Sequence, residues 1–143
     1  MGIKRVREYV NDVFGSSMHG ATVLSLGDGV VGVTHAAQLA IHTIGHAYAQ
    51  LAGIKGKSGI GQISRMLGND KIDLKQALRL WGQYVVGKRQ ELLLAMDWTC
   101  FASDKMSTLA VYVVTSHGRA TPLAWRTYDN AALARILDSS SAK

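Results

Sequence analysis

The chain is poor in cysteine and proline and, over one long stretch, has no acid at all. Its single cysteine, Cys100, has no partner for an intrachain disulfide and cannot supply a thiolate set for zinc, so a reducing compartment is expected. One proline, Pro122, together with 48% hydrophobic residues argues against wholesale disorder and for a globular chain with a core. The 143 residues suit one domain, or a small domain with part of another, and leave no room for a large multidomain enzyme. Basic character follows from the shortage of acids: the formal net charge is +6, which favours a polyanionic partner, nucleic acid first. Most of the surplus lies before residue 97, so a nucleic-acid surface is expected in the first two thirds.

Targeting and membrane segments are also missing. The start, Met-Gly-Ile-Lys-Arg-Val-Arg-Glu, is basic but has no apolar run behind it, because Glu8, Asn11 and Asp12 interrupt it, so it is not a secretory signal. Val30 to Ile54 carries no formal charge and is long enough for a membrane span. On a helical wheel, however, His35, Gln38, His42, His46 and Gln50 gather on one side and Ala37, Ala40, Ile41, Ile44, Tyr48 and Leu51 on the other. That pattern predicts an amphipathic helix of a soluble protein, with no membrane partner.

Periodicity then gives an outline. A short helix is expected over Arg5 to Phe14, ended by Gly15-Ser16-Ser17, whereas Ala21 to Leu26 is ambiguous. The long helix runs from about Thr34 to near Gly53, a basic Gly-rich turn spans Gly53 to Gly59, and a further helix covers Ile60 to Leu67 with Gly68 at its end. Asp73 reads as an N-cap, with Gln76 as its capping-box partner, opening a helix to about Val86. From Leu92 the pattern turns strand-like. Leu92 to Trp98 reads as a buried strand, Thr99 to Met106 as a turn, and Thr108 to Thr115 as a second strand. Ser116 to Arg119 reads as a turn that brings Thr121 to Tyr128 back as the third strand of an antiparallel meander, and Ala131 to Leu137 starts a helix. Three strands with one short helix are a poor independent domain, so the C-terminal part looks unfinished.

Several motifs invite chemistry. Gly27-Asp-Gly29-Val-Val-Gly32 matches a dinucleotide fingerprint, but the acid expected about 20 residues on is missing, so a flexible helix start is preferred. His42 and His46 stand one helical turn apart with His35 on the same face; without a further ligand they read as exposed helix histidines. Ser116 and His117 are adjacent and do not suit a hydrogen-bonded nucleophile pair. Residues 49–67 resemble a helix-turn-helix whose second helix displays Lys57, Ser58, Gln62 and Arg65, with Lys55 in the turn. Lys and Ser suit phosphate, and Gln and Arg suit base edges; an ordinary helical hairpin with a solvated basic turn is the alternative. Asp97, inside Leu-Leu-Leu-Ala-Met-Asp-Trp, is costly in a buried strand unless it is paired, hydrogen-bonded or metal-bound. Its alternative is a strand residue at a polar edge.

Leu94-Ala-Met-Asp97-Trp-Thr99, Ser107-Thr-Leu-Ala110 and above all Thr115-Ser-His-Gly-Arg-Ala-Thr-Pro-Leu-Ala-Trp125 resemble the opening of the catalytic domain of DDE insertion-sequence transposases of the insertion-sequence four family. Val23 to Leu26, His35 to His42 and Ile63 to Leu67 before Lys71-Ile-Asp73 resemble the N-terminal region of the same proteins. The resemblance implies an α+β chain: a helical DNA-binding region over 1–90, then, over 91–143, the first three antiparallel strands of an incomplete RNase H-like domain. It makes Asp97 the first of three catalytic carboxylates and a ligand of Mg²⁺, and adds Arg119 to the DNA-binding residues. In such enzymes two Mg²⁺ ions activate the attacking oxygen and stabilise the leaving one as a phosphodiester is cut or transferred. The other two carboxylates find no counterpart, since Asp104, Asp129 and Asp138 sit in no matching motif. The expectation is a truncated transposase-family protein that binds element ends in the bacterial cytoplasm, near the nucleoid, and does not cut alone. The alternative is a non-enzymatic DNA-binding protein that competes with full-length transposase; association with itself or with that longer protein fits either. A basic RNA-binding or interaction module is a third class, for which no RNA motif argues.

Overall fold

The computed structural model describes residues 2–115 and 120–140, the last five of these by backbone alone. The described residues form an α+β arrangement: five helices, a three-stranded antiparallel sheet and a sixth helix. The elements are α1 (Ile3–Phe14), α2 (Gly20–His35), α3 (Ile41–Ala52), α4 (Gly56–Leu67), α5 (Leu74–Val86), β1 (Leu93–Phe101), β2 (Met106–Val114), β3 (Ala120–Asp129) and α6 (Asn130–Ser140). Two compact units divide between Leu80 and Trp81, inside α5. Among the described residues no helix is long and apolar enough to cross a membrane.

In the first unit α2 is central, packing against α1, α3 and α4. Val6, Val10 and Val13 form the buried stripe of α1, and Val6 and Val10 meet Val23, Val31 and Tyr48 in the core. The stretch whose local pattern was ambiguous is helical throughout, and Gly27-Asp-Gly-Val-Val-Gly32 lies in the interior of α2 rather than at a flexible helix start. Each interior glycine weakens a helix by about 1 kcal/mol relative to alanine. Here each one admits a different neighbour. A Cβ on Gly27 would lie 3.2 Å from the Arg7 Cγ of α1; on Gly29, 2.8 Å from the Met66 Cε of α4; on Gly32, 2.7 Å from the Ile44 Cγ2 of α3. Close packing of three helices overrides the local preference.

The long helix expected from Thr34 is two helices. Ala36 and Ala40 are extended (ψ 139° and 140°), which ends α2 at His35 and starts α3 at Ile41. The break lets α3 fold back so that Ile44 meets Gly32. The spacing of His35, Gln38, His42, His46 and Gln50 continues at a helical period through residues 36–40, which is why periodicity alone runs through the break. α3 ends on left-handed Gly53 (φ +68°), with the Ile54 N–H donating to the Ala49 carbonyl at 3.0 Å. The turn is shorter than expected, and α4 begins at Gly56, so Lys57 and Ser58 stand in its first helical turn. α3 and α4 cross nearly backbone to backbone, because Gly45 and Gly59 face each other's helices.

Asp73 caps α5 as expected: its Oδ1 accepts from the Lys75 and Gln76 N–H groups at 2.8 and 3.2 Å. The reciprocal capping-box contact is replaced, since the Gln76 side chain donates to the Ser17 carbonyl at 3.2 Å. A tertiary acceptor has displaced the local one.

In the second unit the sheet order is β1-β2-β3, with Asp97 opposite Ala110 and Ala110 opposite Trp125. The meander is as expected, except that β1 runs on to Phe101 and the turn covers only 102–105. An irregularity between Val111 and Tyr112 shifts the β2–β3 register. The Trp81 indole N–H donates to the Pro122 carbonyl at 2.7 Å, tying the C-terminal half of α5 to β3. Asp129 caps α6, its Oδ1 accepting from the Ala131 and Ala132 N–H groups. β1 departs from expectation: every residue of it is exposed, including Leu93 at 69% and Met96 at 71%. It is an edge strand of a sheet too small to bury both faces, so its apolar run does not report burial.

Candidate nucleic-acid interface

α3, the turn Gly53–Lys55 and α4 form the pair of helices over which a helix-turn-helix or an ordinary helical hairpin is expected. Its second helix buries Gly59 and Ile63 and turns Lys57, Ser58 and Arg65 outward. Lys55 is the exposed N-cap residue and makes no side-chain cap, and no acid stands in the first turn. The positive end of the helix dipole therefore adds to Lys55 and Lys57. Arg65, two turns on, lies along Gly61, where a Cβ would be 3.3 Å from its Nη1. Among the described residues Lys55, Lys57 and Arg65 have no salt bridge, so their charge is available to an anion. With no Asp or Glu between Gly29 and Asn69, the element carries no internal counter-charge.

Gln62 is half-buried and, with Arg65, lines an open cleft of about 510 Å³ between α1, α2, α3 and α4. The cleft floor holds a cluster that sequence reading missed. Arg7 Nε donates to Asp28 Oδ1 at 2.8 Å, its Nη2 lies 2.6 Å from the same oxygen, and the Tyr48 hydroxyl donates to Asp28 Oδ2 at 2.9 Å. The hydrogen bond to Asp28 raises the Arg7 pKa, and burial first, then Asp28, raises that of Tyr48. The cluster pins α1, α2 and α3 together and neutralises Asp28, leaving Arg65 as the unpaired charge at the rim. A lone acid amid glycines and valines was its only signal in the sequence.

The histidine face divides. His35 belongs to the end of α2, where its Nδ1 lies 2.9 Å from the Val31 carbonyl, whereas His42 and His46 are on α3. His46 packs over Gly56 at the start of α4: a Cβ there would be 2.6 Å from the ring Cε1. Ser116, His117 and Arg119 lie outside the described residues.

Asp97 is at the middle of β1 and exposed, so the burial cost anticipated for it does not arise. In register it has Ala110 and then Trp125 beside it, neither of them a metal ligand. Among the described residues no three His, Cys, Asp or Glu side chains come together to hold a metal. A two-Mg²⁺ centre needs several carboxylate oxygens. One exposed carboxylate does not fit that requirement. The chain matches no family model, no curated protein and no solved structure.

Proposed function

We propose that this chain is a DNA-binding protein of DNA transposition, related to the DDE transposases, which contacts duplex DNA through α3 and α4. The observation that carries the proposal is the outer face of α4: Lys57, Ser58 and Arg65 exposed together, on an element without an acid. In this reading Lys55, Lys57 and Ser58 hold phosphates beside the helix N-terminus, while Gln62 and Arg65 address base edges. Asp97 is the one carboxylate of the catalytic set, too few to hold two metals, so this polypeptide binds and does not cut. A competitor role follows if it occupies sites that a complete transposase uses. That reading is favoured by the same isolated Asp97.

The test is binding to a labelled duplex of about 20 base pairs over a salt series, with Lys57→Ala and Arg65→Ala beside the wild type. Loss of Lys57 should lower the salt slope by about 1, and loss of Arg65 should weaken binding by roughly tenfold on a preferred sequence. Unchanged affinity and slope in both variants would remove α4 from the interface.

A further inference from the structure

The two faces of the sheet differ in charge, and the difference is set by register. Asp97 and Asp129 share one face with Trp125. Trp98, Arg126 and Tyr128 share the other, with Met96 and Leu109 among their neighbours and no acid. On that second face the Trp98 and Tyr128 rings pair at 6.1 Å between centroids, tilted by 45°. The Arg126 guanidinium stands 5.1 Å from the Tyr128 ring centre. Trp98 is 46% exposed and Arg126 is exposed, without a salt bridge among the described residues.

An exposed indole paired with a half-buried phenol beside a guanidinium without a salt bridge, on a face cleared of acids, complements a ligand that offers flat π-surfaces and negative charge together. A protein partner's apolar face would use the rings but not the cation. A phosphate alone would use the cation but not the rings. Single-stranded nucleic acid uses both, because unpaired bases stack on aromatic side chains while arginine meets the backbone and contributes cation–π attraction. We infer that the β1–β3 face carrying Trp98, Tyr128 and Arg126 binds single-stranded DNA by base stacking. The stacking chemistry stands on the sheet alone, and the choice of DNA over RNA rests on the reading of α4 as a DNA-binding helix.

Fluorescence anisotropy of the full chain with a labelled oligothymidylate of about 12 nucleotides tests it, against an abasic strand with the same number of phosphates. The wild type should bind the strand with bases at least about fivefold more tightly than the abasic one. Trp98→Ala should lose about fivefold or more toward the oligothymidylate, and Trp98→Phe should restore most of it. Equal affinity for the two strands overturns the inference even if Trp98→Ala fails to fold, and leaves the α4 reading standing, since charge alone explains such binding. Tighter binding of an oligouridylate of the same length overturns the assignment to DNA. Self-association of the wild type that is lost in Trp98→Ala, without preference for bases, assigns the face to a second copy instead.

Discussion

Replacing Gly45 by alanine sets local preference against packing within a single residue. Helix propensity alone favours alanine by about 1 kcal/mol. In the fold, the added Cβ would lie 2.5 Å from the Ile60 Cα and 2.7 Å from its N, both backbone atoms of α4. No rotamer change relieves a collision with backbone, so α4 must move outward and open its crossing with α3. Overpacking of this kind costs about 1–3 kcal/mol, and the backbone contact places Gly45→Ala at the upper end. The net loss is then about 2 kcal/mol, and the melting temperature of the helical unit should fall by about 8–16 °C. Gly61→Ala is the control on the solvent side of α4, where the nearest atom is the movable Arg65 Nη1 at 3.3 Å. It should stabilise by up to about 1 kcal/mol. Thermal and urea unfolding followed by far-ultraviolet circular dichroism reads both variants. A Gly45→Ala protein as stable as the wild type would refute the backbone crossing of α3 and α4.

Three shorter tests address other parts of the chain. Asp73→Ala removes the acceptor for the Lys75 and Gln76 N–H groups and should cost about 1 kcal/mol in urea unfolding; no change would show that α5 does not depend on this cap. Tyr48 is held above its ordinary pKa of 10.0, so the stability it contributes is complete below that pH and is lost as pH rises through the raised value. Stability measured across that alkaline range should therefore fall in the wild type and fall less in Tyr48→Phe, and identical profiles would count against the burial of this hydroxyl. Asp97→Asn should change stability by no more than about 0.5 kcal/mol, because the side chain is exposed, and neither it nor the wild type should nick supercoiled DNA with Mg²⁺. Nicking by the wild type that disappears in Asp97→Asn would show that one carboxylate suffices after all.

Features that depend on nearest neighbours were legible in the sequence. The valine stripe of α1, the Asp73 cap, the end of α3 at Gly53 and the three-strand meander all follow from spacing or from turn residues within a few positions. So did the candidate face of α4, since Lys57, Ser58 and Arg65 return to one side of any helix placed there. What only the tertiary structure decided depends on residues distant in sequence. Arg7 and Tyr48 give Asp28 its role, and three neighbouring helices make the glycines of α2 compatible with a helix. The break at residues 36–40 goes with the packing of α3 back on α2, and no period records such a reversal when the sequence spacing of polar residues runs on through it. For β1 the sequence specified a strand and the strand formed, but its burial was misread. Extended conformation is a property of the segment, whereas burial requires another layer, and the described residues place none over β1.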